Sequence, residues 1–312
     1  MTAPAREAVG HGPGPADLDL ALDAGTVRVH LDDAETTDPG ADTVRVRVEV
    51  DPDAPPGWLR GLSGLLGLLG SFGGGSAPQD PDERAAAAVA ATTVDWNEDA
   101  RRLTVRGPRE TALRGIPLAV TVRAPAGSSL RLRAGAARVR VEGRADEVSV
   151  HGNGEVDLDE VTGRAELRCG AGEVRVARLG GPLRMTGGAG GVRIDHVLGP
   201  AEITTGAGRV RLGEVRADVA VRAAAGDVEI ADAVAGDVEL GTGVGSLWVG
   251  VHAGVDAQVR LDATVGRVRS ELPVRPERPE TVDGGPLRVR ARTGAGDVTV
   301  ATARTPALPT AS

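Results

Sequence analysis

The stretch "RCGAGEVRVARLGG", residues 168–181, admits two readings. Small glycine-flanked turns build phosphate-cradling loops, and they also serve wherever a chain must turn a tight corner. Aligning the chain on itself decides between them. Gly-x-Gly turns recur at Gly152/Gly154, Gly170/Gly172, Gly188/Gly190 and Gly206/Gly208, a step of 18 residues each time. The next copy, "AAAGDVEI", keeps Gly226 at the same step, and "GTGVGSLWV" brings Gly243 and Gly245 one residue late. Degenerate copies follow around Gly266 and Gly296. So short a fixed period marks a solenoid. A P-loop needs a lysine to reach its phosphates, and this chain has none. A dinucleotide fingerprint needs a helix behind its glycines, whereas here each pair opens an alternating, strand-like run. The glycines are corners.

Each corner is followed by two apolar residues at period two: Val156/Leu158, Val174/Val176, Val192/Ile194, Val210/Leu212, Val228/Ile230 and Leu247/Val249. Period two is the signature of a strand. A second such pair precedes each corner, at Val148/Val150, Ala165/Leu167, Leu183/Met185, Ala201/Ile203, Val219/Val221 and Val238/Leu240. A third apolar position, at Val161, Leu179, Val197 and Val215, closes the coil. Stacked in register about 4.8 Å apart, these residues form inward ladders while the Arg, Glu and Asp between them face water. The predicted fold is all-β, a single-chain parallel β-solenoid of about 18 residues per coil, with an N-terminal β-rich cap carrying one short helix. At roughly 1.5 to 3 kcal/mol per fully buried Val, Leu or Ile, one coil does not repay the entropy of ordering itself. It needs coils above and below.

Composition agrees with a narrow interior. With three Trp, one Phe and no Tyr in 312 residues, the core must be built from small aliphatic side chains. The net charge of −8 argues against general affinity for nucleic acid. Cys169 is the single cysteine, which excludes an intramolecular disulfide and a cysteine-based zinc site.

Outside the repeat, residues 1–16 are expected to be disordered and 17–130 to form the cap. In the cap, "AGTVRVHL" (24–31) resembles one coil, "DTVRVRVEV" (42–50) and "IPLAVTVRAP" (116–125) are strands, and "DERAAAAVAATT" (82–93) has the Ala content of a helix. "VDWNEDARRLTVRG" reads as a hairpin turning near Asn97–Asp99. The repeats proper run from 131 to 301, with a Pro-rich loop at 272–286 before the last coil, and 302–312 are expected to be a disordered tail.

Several features invite a functional reading. The 18-residue step stacks Arg175, Arg193 and Arg211 into an outward stripe, a tentative grip for an anionic polymer or a partner's carboxylates, opposed by Glu173, Asp195 and other flanking acids. In "PGWLRGLSGLLGLLGSFGGGS" (56–76), an excursion from the cap spanning 57–76, Trp58, Leu59, Leu62, Leu65, Leu66 and Leu69 match helical spacing. Of these, Trp58, Leu62, Leu65, Leu66 and Leu69 are the candidates for a partner or peripheral membrane contact. The stretch is too short and too interrupted to span a bilayer, which takes about 20 apolar residues. No metal or cofactor site is read: "GGAGGVRID" (187–195) has Gly191 where calcium-binding nonapeptides carry Asp, and the five histidines fall at unrelated offsets. No catalytic residue is assigned either. Acids cluster at Asp157, Asp159 and Glu160 and scatter at Asp227, Asp232 and Asp237, without the convergence that glycoside cleavage requires.

The repeated "GAGxVxV" unit, with "AGTVRV" near the start and "RTGAGDVTVATA" at the end, resembles the DUF4097 family of bacterial adhesin-like proteins over roughly residues 20–301. The resemblance implies a β-solenoid of the adhesin-head type without established enzymatic activity, and actinobacterial members that commonly lack a signal peptide. It carries no site residues across. The expected role is a non-catalytic scaffold or binding surface. The alternatives are a carbohydrate-active β-helix enzyme and an envelope-stress protein acting through the Leu-rich stretch. The N-terminal sequence has no basic head followed by an apolar run, so a cytoplasmic location is expected, with surface association the alternative.

Overall fold

Period-two alternation turns most of the described chain into strand. The computed structural model describes residues 5–12, 14–32, 43–52, 81–272 and 287–303. The stretch holding Trp58, Leu62, Leu65, Leu66 and Leu69 lies outside these residues, as do 273–286 and 304–312. The chain divides into two compact units, Met1–Asp157 and Leu158–Ser312. The fold is a parallel β-solenoid with an N-terminal β segment.

Unit 1 contains β1 (Ala5–His11), β2 (Asp17–Asp32), β3 (Thr43–Val50), β4 (Thr93–Asn97), β5 (Arg102–Arg106), β6 (Leu118–Pro125), β7 (Ser129–Ala145) and β8 (Val148–Asn153). A helix, Pro81–Ala91, follows β3, and a one-turn helix, Thr111–Arg114, follows β5; β9 (Val156–Val161) runs through the border between the units. The long strand β2 lies parallel and in register with β7 on one edge and with β5 and β6 on the other. It therefore occupies a slot between β6 and β7, two strands that follow one another directly in the chain. Ser128 pins that crossing: its Oγ accepts from Ala16 N at 2.9 Å and donates to Pro125 O at 2.6 Å.

Parallel stacking already includes β2, whose Leu18, Leu20, Leu22, Val27, Val29 and Leu31 are buried as fully as any later ladder. Ahead of it, residues 5–11 form a strand. Strand β1 pairs antiparallel with β3, Arg6 donates to Thr92 O at 2.7 Å, and the Trp96 ring lies against the bare backbone of Gly10, where a Cβ would meet it at 2.4 Å. The cap itself works by reversing strand direction. β3 lies antiparallel on β6, and β4 antiparallel on β5, so the rung edges meet partners instead of water.

Unit 2 stacks coils of two strands each. One side consists of β10 (Ala165–Ala171), β12 (Leu183–Ala189), β14 (Ala201–Ala207), β16 (Val219–Ala225) and β18 (Asp237–Val244). The other consists of β11 (Val174–Leu179), β13 (Val192–Val197), β15 (Val210–Val215), β17 (Val228–Ala233) and β19 (Leu247–Val251). Each strand is parallel to the equivalent strand of the next coil, so that Val174 meets Val192, Val192 meets Val210, and Val210 meets Val228. Every member of the apolar pairs in this unit is buried, as are Val161, Leu179, Val197 and Val215. The closing position works as expected: Leu198 N donates to Leu179 O at 2.8 Å, and Arg216 N to Val197 O at 2.9 Å, tying each corner to the coil before it.

At the far end the stacking order departs from chain order again. The last strands in the chain are β20 (Ala257–Val265), β21 (Val268–Ser270), β22 (Leu287–Ala295) and β23 (Val298–Thr302). β22 pairs with β18 on one edge and β20 on the other, and β23 pairs likewise with β19 and β21. The final coil in sequence is thus the penultimate coil in space. Burial follows the order: Val289, Ala291, Val298 and Val300 are buried between neighbours, whereas Val259, Leu261 and Ala263 on β20 are half-exposed and Val265 and Val268 exposed.

Candidate functional site

The stripe Arg175, Arg193 and Arg211 exists as a geometric row, since Arg175 pairs in register with Arg193 and Arg193 with Arg211. Each cation is already engaged. Arg175 bonds Glu173 at 2.6 Å, Arg193 bonds Asp195 at 2.9 Å, and Arg211 bonds Glu229 on the next coil at 3.1 Å. The scattered acids are tied in the same way: Asp227 to Arg209, Asp232 to His252, Asp237 to Arg288. His30 and His196 lie against Glu142 and Glu214. Most of this surface is a mixed-sign face whose charges cancel locally.

A recess in unit 1 differs. Strand register lines up Arg106 of β5, Ala21 of β2, Arg133 of β7 and His151 of β8 as one row across four neighbouring strands. With strands about 4.8 Å apart, the backbones of Arg106 and Arg133 stand about 10 Å from one another. The small side chain of Ala21 leaves the gap between them open. The segment after β5 supplies a wall through Pro108, Arg109 and Arg114, and the recess, open on one side, has a volume of about 640 Å³.

Charge in the recess is unevenly matched. Asp19 accepts two bonds from Arg106, at 2.9 and 2.6 Å, and that guanidinium holds the Asp19 carboxyl below its usual range while Asp19 raises the Arg106 guanidinium. Arg114 stands 3.7 Å from Asp23. Arg109, Arg133 and His151 have no ion-pair partner among the described residues. Arg133 acts on the Asp19 carboxyl through space without bonding it, so Arg109 and Arg133 both present fork-shaped donors suited to a carboxylate or phosphate at the rim of a concave surface. Only the 18-residue step from Arg133 to His151 was visible in the sequence, because β5 and β2 reach this row by out-of-order stacking.

Cys169 lies within a buried ladder between strands of the same side, and burial pushes its thiol above the ordinary value. Expected consequence: at neutral pH Ellman's reagent leaves the folded protein unmodified and titrates one thiol after denaturation. Rapid reaction of the native protein would contradict the burial.

No described helix is long and apolar enough to cross a membrane. No family model matches the chain, and no curated protein does. Among solved structures it is similar to an adhesin candidate from Bacteroides fragilis at 11% identity and a TM-score of 0.32, covering 95% of this chain and 96% of that one. It is also similar to a candidate cell adhesion protein from Clostridium sporogenes, at 10% identity and a TM-score of 0.22 over 96% of this chain and 99% of that one. A candidate adhesin from Parabacteroides distasonis gives 11% identity and a TM-score of 0.30 over 95% and 96%.

Proposed function

We propose that this protein is a non-catalytic β-solenoid of the DUF4097 type that binds an anionic partner through the recess lined by Arg109, Arg133 and His151. One observation carries the reading: Arg109 and Arg133 share this recess and make no ion pair among the described residues, whereas each arginine of the stripe is bonded to a carboxylate. Two guanidiniums with no bonded carboxylate leave their donors available to an anionic ligand. The partner chemistry is a carboxylate or phosphate on a polymer or protein, which agrees with the adhesin-like role of the family that the repeat resembles.

Calorimetric titration with poly-L-glutamate and with pyrophosphate tests this. The R109A/R133A protein is expected to bind at least about tenfold more weakly, while the R175A/R193A/R211A protein retains affinity. The reverse pattern would move the site to the stripe, and equal binding by all three proteins would remove the proposal.

A further inference from the structure

We propose that the open end of unit 2 is a self-association surface, and that two copies of this chain join there by antiparallel pairing of β20 with β20. In unit 1 the terminal rungs are covered by β3 and β4, but no described strand lies on the outer edge of β20 or β21. That edge presents unpaired backbone donors and acceptors beside an apolar row, Val259, Leu261 and Ala263, which is half-exposed, with Val265 66% and Val268 50% exposed. An uncovered edge of this kind is a template for another strand.

The sequence of β20, "AQVRLDATV" (257–265), specifies which strand. Its chemical classes mirror one another about Leu261. A two-fold axis through that residue places Leu261 opposite Leu261, Val259 opposite Ala263, Gln258 opposite Thr264 and Ala257 opposite Val265. It also places Arg260 of each copy opposite Asp262 of the other. Moving the axis one residue toward the N-terminus sets Arg260 against Arg260, and one residue toward the C-terminus sets Asp262 against Asp262. Like charges directly opposite are unfavourable and opposite charges favourable, so charge selects the register centred on Leu261. Both groups are available for it. Arg260 has no ion-pair partner among the described residues, and Asp262 uses only Oδ2 toward Arg292, at 3.1 Å. The contact is isologous and closes as a dimer, not a fibre.

The test uses the full chain in sedimentation velocity over a concentration series, with thermal melts confirming that each variant is folded. The wild type is expected to pass from monomer to dimer. R260D sets Asp against Asp and D262R sets Arg against Arg, so each alone weakens the dimer by about tenfold or more. An equimolar mixture of the two restores opposite charges at both contacts and forms a heterodimer. The double variant R260D/D262R dimerises again by itself. A wild type that stays monomeric throughout, as it would if another part of the chain covered this edge, overturns the proposal. So does a dimer indifferent to either single change, or a mixture that fails to associate.

Discussion

Val192→Asp is expected to unfold unit 2, or to lower its melting temperature so far that the native state is lost near ambient conditions. Val192 is 2% exposed and is held between Val174 on one neighbouring coil and Val210 on the other. A carboxylate there has no cation within the aliphatic ladder, and an unpaired buried charge costs several kcal/mol even after relaxation. Total stability of an ordinary domain is about 5–15 kcal/mol. Because each coil repays its ordering entropy only through neighbours, the damage spreads along the stack instead of staying local. The adjacent Arg193→Ala removes a surface side chain, 54% exposed and bonded only to Asp195, so its effect should lie within about 1 kcal/mol. Circular-dichroism melts of the two variants provide the measurement. Equal tolerance of both changes would refute the assignment of inside and outside.

Gly208→Ala is expected to be nearly as damaging, though it adds a single methyl group. Gly208 has φ +131°, and a Cβ built on it meets the carbonyl oxygen of Gly190 at 2.0 Å and the carbonyl carbon at 2.6 Å. Both obstacles are backbone of the preceding coil, which cannot step aside without breaking its own ladder. Unfavourable φ alone costs about 1–3 kcal/mol, and the collision adds to it, so the total is on the order of 3 kcal/mol or more. Gly187→Ala is the matched control. Its nearest neighbour would be Thr205 Oγ1 at 3.4 Å, an ordinary contact, and the expected change is below about 1 kcal/mol in either direction. Chemical denaturation of the pair separates corner glycines from incidental ones. Similar midpoints for both would mean the corners tolerate side chains, and the original choice between a turn and a ligand loop would reopen.

The two mutants probe features that were legible for the same reason. Within unit 2, a residue's coil neighbours lie 18 positions away along the chain, so ladders and corners appear as a period that can be counted. The stripe of Arg175, Arg193 and Arg211 was visible by this counting, as were the opposing acids Glu173 and Asp195; which acid each arginine bonds, along its own strand or across to Glu229 on the next coil, depends on rotamers. The recess was not visible. Arg106, Ala21 and Arg133 meet because β2 enters the stack between β5/β6 and β7, and no period in the chain relates those three positions. The edge of β20 was hidden for the same cause: "TVGRVRS" reads as one more degenerate coil, and only the insertion of β22 and β23 beneath it leaves it at the end.

Local chemistry, written residue by residue, settled the strand period, the inward and outward faces, the glycine corners and the absence of a lysine-based phosphate loop, since each depends on neighbours at constant spacing. The order in which coils stack at either end, and therefore which arginines share a hollow and which strand is left bare, was settled by edge pairing between strands that are not successive in the chain. Such pairing joins backbone edges that meet only once the chain has folded back on itself, and a constant spacing along the sequence does not encode it.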